Sequence, residues 1–159
     1  MILLRRNGFS LAEVLIVLCI IGILTTMAAY GWQRYVANSN LRAATRGLES
    51  DLFFIKERAI SERVNYRIIL NIGANNYTIN QETGAGTGVF TTIQTRDLST
   101  LYSGVTLLSS TFPSTQVTFQ PRGTLSGNAG SIILKNTYNY TGTITINLAG
   151  RTHVEFAMQ

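Results

Sequence analysis

The chain has little with which to build a metal centre, a disulfide or a proton-relay catalyst. In 159 residues it holds one cysteine, one histidine, one tryptophan and two prolines, and 13% of its side chains are charged. Cys19 has no partner for an intrachain disulfide, and a four-cysteine zinc site is excluded. It lies inside an apolar run with no basic neighbour to activate it, so it reads as a small buried hydrophobe. His153 has no second histidine or cysteine to join it in the polar part of the chain, so no transition-metal site and no cofactor is expected. A Ser-His-Asp triad would need His153 with Asp51 or Asp97, and no Gly-x-Ser-x-Gly occurs. The Gly84–Gly88 run lacks the Lys-Ser/Thr of a phosphate loop and reads as a flexible hairpin tip. No catalytic constellation emerges, and the chain is not expected to be an enzyme. Both prolines, Pro113 and Pro121, lie late, so nothing of that kind interrupts a helix in the first hundred residues.

What is present is unevenly spread. Of 13 basic plus 8 acidic side chains, ten lie between Arg34 and Arg63, and ten of the 14 glycines follow Ile72. That asymmetry predicts a hydrophobic head, a charged helical middle and a β-rich C-terminal domain. Net charge is +5, of which Arg5 and Arg6 supply two. Without residues 1–8, 11 basic minus 8 acidic groups leave +3. That modest excess permits contact with nucleic acid or anionic lipid without requiring it.

From Phe9 to Tyr30 the chain is almost wholly apolar. As a helix it is about 33 Å long, enough to cross a hydrocarbon core. Arg5 and Arg6 precede it, which places the N-terminus in the cytoplasm and the remainder outside, as a single-pass protein. The run exceeds the 7–15 residues or so of a secretory signal's apolar core. A plain signal anchor leaves Glu13 unexplained, because a carboxylate near the start of a membrane helix costs a few kcal/mol and marks a function. Cleavage after Gly8 would give Phe9 a new α-amino group. The Glu13 carboxylate would then pair with that amine on a neighbouring subunit, burying both charges together.

The stretch Arg5-Arg6-Asn7-Gly8-Phe9-Ser10-Leu11-Ala12-Glu13-Val14-Leu15-Ile16-Val17 resembles the N-terminal signal of bacterial type IV pilins and pseudopilins. The resemblance implies that prepilin peptidase cuts after Gly8 and N-methylates Phe9. It also makes Glu13 the filament-assembly glutamate and implies other pilin or pseudopilin subunits and the inner membrane as partners. One departure stands out: many major pilins carry a proline in this apolar half and this chain has none. A straighter helix is expected, or one broken only at Gly22 or Gly31.

After Tyr30 the pattern turns amphipathic. Ala37, Leu41, Ala44, Leu48, Leu52, Ile55 and Ala59 form one helical stripe, and Arg42, Arg46, Glu49, Lys56 and Arg63 fall largely off it. A helix from about Ser10 to Glu62 is predicted, with the charges on a solvated face. The resulting division is a leader (residues 1–8), a transmembrane and filament-core helix (9–31), its amphipathic continuation (32–63) and a β-rich globular domain (64–159). Within the last, eight short runs begin at Tyr66, Tyr77, Val89, Val105, Gln116, Ser131, Thr143 and Thr152. Turn residues separate them, as in antiparallel hairpins. A sheet of six to eight strands is expected to pack on the helical stripe.

This half carries a second resemblance. Ile55-Lys56-Glu57-Arg58-Ala59-Ile60, Val117-Thr118-Phe119-Gln120-Pro121-Arg122-Gly123-Thr124 and Gly150-Arg151 are similar to the helix end, the Phe-x-Pro-x-Gly turn and the Gly-Arg hairpin of H-type pseudopilins. Together they resemble the GspH/FimT-type minor pilins and pseudopilins. The implied fold is α+β: a long N-terminal helix and a sandwich-like antiparallel β domain. The implied function is a minor subunit of a type II secretion pseudopilus or a type IV pilus, with its β domain in the periplasm. Some members of that group bind DNA through a Gly-Arg-x-Arg hairpin, where this chain reads Gly150-Arg151-Thr152-His153. A DNA receptor for natural transformation is therefore the alternative, with Arg151, Arg122 and Lys135 as its phosphate contacts.

Overall fold

The computed structural model describes residues 10–157, without the side chains of residues 27–30. The chain divides into two compact units, one up to Val36 and one from Ala37 onward. Helix α1 (Leu11–Glu62) contributes to both.

In the first unit α1 is unbroken at Gly22 and Gly31, as the missing proline allows. Its large apolar side chains, Leu11, Val14 to Leu18, Ile20, Ile21, Ile23 and Leu24, are exposed. A helix hydrophobic on every side belongs in lipid or among other helices. The polar exceptions satisfy themselves locally. Thr25 Oγ1 donates to the Ile21 carbonyl at 2.9 Å, and Thr26 Oγ1 to the Ile23 carbonyl at 2.7 Å. Cys19 is exposed on this surface, so the burial expected of it has to come from lipid or neighbouring helices.

In the second unit, eight strands form two four-stranded antiparallel sheets. They are β1 (Tyr66–Asn71), β2 (Asn76–Glu82), β3 (Phe90–Asp97), β4 (Val105–Ser110), β5 (Gln116–Phe119), β6 (Gly130–Asn136), β7 (Thr141–Ile146) and β8 (Thr152–Ala157). One sheet runs β3-β2-β1-β5 and the other β4-β6-β7-β8. A short helix, α2 (Leu98–Leu101), links β3 to β4; Asp97 caps it by accepting from the Ser99 and Thr100 amides. All seven stripe residues are buried. From Leu41 to Ala59 they share one core with inward residues of both sheets, among them Tyr66, Ile68, Ile79, Phe119, Ile132 and Ile144. Each buried Leu or Ile of the stripe contributes about 1.5–3 kcal/mol.

Two polar residues determine how this unit closes. Asn75, in the β1–β2 turn, accepts from the Leu107 amide at 2.8 Å and donates to the Val105 carbonyl at 2.9 Å. It thereby tethers the first sheet to the edge of β4, whose backbone groups would otherwise lack partners there. Glu82, 2% exposed, accepts from the Gly88 amide at 2.7 Å, the Asn65 amide at 3.1 Å and the Asn65 side chain at 2.7 Å. The Gly84–Gly88 tip, expected to be flexible, is thus pinned by a carboxylate and by the Thr83 amide donating to the Val89 carbonyl.

The Gly88 amide above all, then the Asn65 donors, hold the Glu82 carboxyl below its ordinary value against the opposing effect of burial. A lowered folded-state pKa gives stability that is present above the unfolded value, near 4.5, and is lost as pH falls through the folded one. Replacing Glu82 with Ala is expected to cost about 2–3 kcal/mol at neutral pH. It should also flatten the acid limb of the stability profile and speed amide exchange at Gly88 and Asn65. An unchanged acid limb in a urea-melt series would refute this role.

Candidate functional site

The assembly site predicted from sequence centres on Gly8, Phe9 and Glu13. Gly8 and Phe9 lie outside the described residues. Glu13 sits in the first turn of α1, where the Glu13 and Val14 amides donate to the Ser10 carbonyl at 3.0 and 3.2 Å. An acid at that end is favoured by the helix dipole. Its surroundings on the helix surface are Val14, Val17 and Leu18. Among the described residues its carboxylate makes no ion pair. It is thus a charge in an apolar surround with no counter-charge among the described residues of its own helix.

At its other end α1 stops without glycine or proline. Arg63 takes the left-handed conformation (φ 57°) that ends helices, a role usually given to glycine. Glu62, the last helical residue, sits at the pole that disfavours an acid. It is neutralised locally: the Tyr66 hydroxyl and Gln81 Nε2 donate to it, and Arg58 Nη2 pairs with it at 2.6 Å. The Tyr66 contact first, and then Arg58, keep the Glu62 carboxyl below its ordinary value against burial. The Tyr66 hydroxyl is pushed up to about 12, by burial first and then by Glu62.

Two glycine turns meet under the helix. Gly123 (φ 76°) follows β5 and Gly150 (φ 69°) lies between β7 and β8, and both are buried. A Cβ on Gly150 would fall 2.3 Å from the Gly123 carbonyl oxygen, and one on Gly123 would fall 2.8 Å from Ile60 Cδ1. Lys56 Nζ donates to the Gly150 carbonyl at 3.0 Å, tying the turn to α1. The Phe-x-Pro-x-Gly and Gly-Arg segments are therefore one packed structural unit.

That contact brings the backbones of Arg122 and Arg151 together, with both side chains exposed. Lys135 is elsewhere. It pairs with Thr141 at the start of β7, whereas Thr152, next to Arg151, pairs with Ile146 at its end, about 17 Å along the strand. Of the three residues named for a DNA surface, two stand on touching turns and the third does not. With a salt slope of about 0.9 per phosphate contact, two cations are too few for a strong DNA surface, and the geometry does not support the DNA-receptor alternative.

The groups tested for catalysis are engaged separately. Asp51 accepts from the Tyr77 hydroxyl at 2.7 Å and pairs with Arg96 Nε at 3.4 Å, and Asp97 caps α2. His153, exposed on β8, lies 3.2 Å from Glu155. Among the described residues, no three His, Cys, Asp or Glu side chains gather as a metal site would require.

A long apolar N-terminal helix followed by an antiparallel two-sheet domain is the pilin fold, and comparison with solved structures agrees. The minor pseudopilin EpsH from the Type 2 Secretion System of Vibrio cholerae matches with a TM-score of 0.60 at 12% identity, over 74% of this chain and 97% of that one. The type IV minor pilin FimU of Pseudomonas aeruginosa matches with a TM-score of 0.58 at 18% identity, over 76% and 92%. No curated protein sequence matches significantly. Residues 44–150 match the family described as Type II transport protein GspH, and residues 3–29 match the prokaryotic N-terminal methylation motif. The chain belongs to the GspH family and carries that motif.

Proposed function

We propose that this chain is the precursor of a structural subunit, without enzymatic activity, that enters a type II secretion pseudopilus or a closely related type IV pilus. Prepilin peptidase cuts it after Gly8 on the cytoplasmic side and methylates the exposed Phe9. Residues 9–31 cross the inner membrane once, residues 32–63 continue the helix, and residues 64–159 form the periplasmic domain. The observation that carries this reading is Glu13: an acid on an apolar helix surface, five residues after Gly8 and inside a matched methylation motif. Its own helix offers that carboxylate no counter-charge, and pairing within a filament supplies one. The family's description as a transport protein favours the secretion pseudopilus over the pilus.

Co-expression with a prepilin peptidase, followed by mass spectrometry of the intact product, tests the processing. The expected product starts at N-methylated Phe9, and Gly8→Val should leave the full-length chain. A mature N-terminus at any other residue would overturn the assignment of Gly8 and Phe9.

A further inference from the structure

The apolar surface of the first unit ends in a pair of aromatic side chains that its own fold leaves uncovered. Trp32 and Tyr35 lie one turn apart on α1, their rings tilted by 36° with centroids 6.1 Å apart. They are 69% and 67% exposed. Before them come the exposed aliphatic residues down to Leu24 and the self-satisfied Thr25 and Thr26. After them the sequence turns polar, through Asn38, Ser39, Asn40 and Arg42. Trp and Tyr have an apolar body and one polar group, and they concentrate where hydrocarbon meets headgroups.

The spacing carries the point further. From Glu13 to Trp32 is 19 residues of unbroken helix, about 28 Å of rise. The hydrocarbon core of a bilayer is about 30 Å thick. With the aromatic pair at one interface, the Glu13 carboxylate reaches the other, where a charge is solvated rather than stranded. A helix without such a marker is free to slide by a turn, and a one-turn slide inward would carry the carboxylate into hydrocarbon.

We propose that Trp32 and Tyr35 are an interfacial lipid anchor that sets the depth of the unassembled subunit and so holds Glu13 at the opposite membrane surface. This rests on the membrane-anchored reading above and adds to it a site, its ligand and a register. The ligand is the headgroup and upper acyl region of a phospholipid leaflet. A second helix is the competing occupant of this face.

The composition of the chain makes the test clean, since Trp32 is its one tryptophan and Cys19 its one cysteine. The full chain is reconstituted in phosphatidylcholine–phosphatidylglycerol vesicles carrying bromine at set depths along the acyl chains. Trp32 emission is expected to be shifted to the blue of tryptophan in water. Bromines near the headgroup should quench it about twofold or more over bromines at the chain ends. In parallel, a spin label on Cys19 reports helix depth in the native chain and in Trp32→Ser/Tyr35→Ser. The native label should be inaccessible to a polar relaxant, and the double variant should shift its depth. If the chain fails to float with vesicles, the anchored reading itself falls. If it floats but Trp32 is unquenched, or is quenched most at the chain ends, the anchor is wrong. Unquenched but blue, concentration-dependent emission would assign the face to a second helix and also overturn it. So would an unmoved Cys19 label in the double variant.

Discussion

Replacing Glu13 with Ala is expected to exclude the subunit from filaments while leaving cleavage after Gly8 largely intact. The two effects separate because they draw on different groups. Cleavage needs the Gly8–Phe9 bond presented at the membrane surface, and the Glu13 side chain is five positions away from Gly8. Insertion itself should not suffer, since the change removes a carboxylate from one end of an apolar helix and adds no polar group. Any loss of assembly therefore cannot be attributed to a poorer membrane helix. On the proposed assembly mechanism, what is lost is the pairing with the α-amino group of a neighbour's Phe9. At about 4 Å and an effective dielectric near 20, such a pair is worth about 4 kcal/mol. Removing one partner also leaves the other charge buried alone, and breaking buried pairs costs about 3–5 kcal/mol. Either figure exceeds a hundredfold in an assembly equilibrium, at about 1.4 kcal/mol per tenfold. Glu13→Gln keeps the size and a hydrogen-bond acceptor but not the charge, so it should fall between native and Ala. The readout is the share of subunit in sheared filaments against membranes, alongside the mass of the processed chain. Normal incorporation of the Ala variant would end the pairing mechanism.

Much of the architecture is legible in the sequence because it is periodic. Every residue of the Ala37-to-Ala59 stripe is buried. All eight expected strands are present, most with ends shifted by one or two residues. Apolar spacing records which face meets a core, and that information is local. What the spacing does not record is contact between distant segments. Glu82 follows Asn80 and Gln81 and looks like a solvated acid. Asn80 and Glu82 lie on the opposite face of β2 from Tyr77 and Ile79, yet both are buried, Asn80 accepting from the Thr92 hydroxyl of β3 and Glu82 lying under the Gly84–Gly88 tip. Asn75 looks like an ordinary turn residue, yet it joins the two sheets. The left-handed Arg63 has no sequence signal, since nothing in an arginine announces a positive φ. The candidate site divides the same way. Glu13 is readable because it is the one acid in an apolar run. The meeting of Arg122 with Arg151, and the separation of Lys135, depend on strand order and register, which hairpin spacing leaves open.

Gly150→Ala is expected to be the most damaging single-methyl change in the domain, and Arg151→Ala, one residue on, nearly silent. The backbone at Gly150 has φ 69°, where a Cβ costs about 1–2 kcal/mol before any neighbour is considered. The neighbours then raise the cost. The new methyl would sit 2.3 Å from the Gly123 carbonyl oxygen and 3.1 Å from Phe119 Cε1. A clash with a flexible side-chain tip is relieved by rotation, but the carbonyl is backbone, and Gly123 is itself wedged under Ile60. The turn has to open, which strains the Lys56 bond to the Gly150 carbonyl and lifts Phe119 out of its place in the core. Strain of this kind adds about 1–3 kcal/mol to the conformational term, for a total near 2–5 kcal/mol. For a domain of this size that lowers Tm by about 8–20 °C. Arg151 is exposed, and its hydrogen bonds within the turn use only its backbone. Its amide donates to Asn147 Oδ1, and its carbonyl accepts from the Asn147 amide. Truncating its side chain should stay within about 0.5 kcal/mol. Thermal melts of residues 37–159 with each substitution decide the matter. A wide gap between the two means the glycine of the Gly-Arg pair is held by packing, while the arginine is free to serve a partner. Equal melting of Gly150→Ala and the native domain would mean that the two turns do not pack as described.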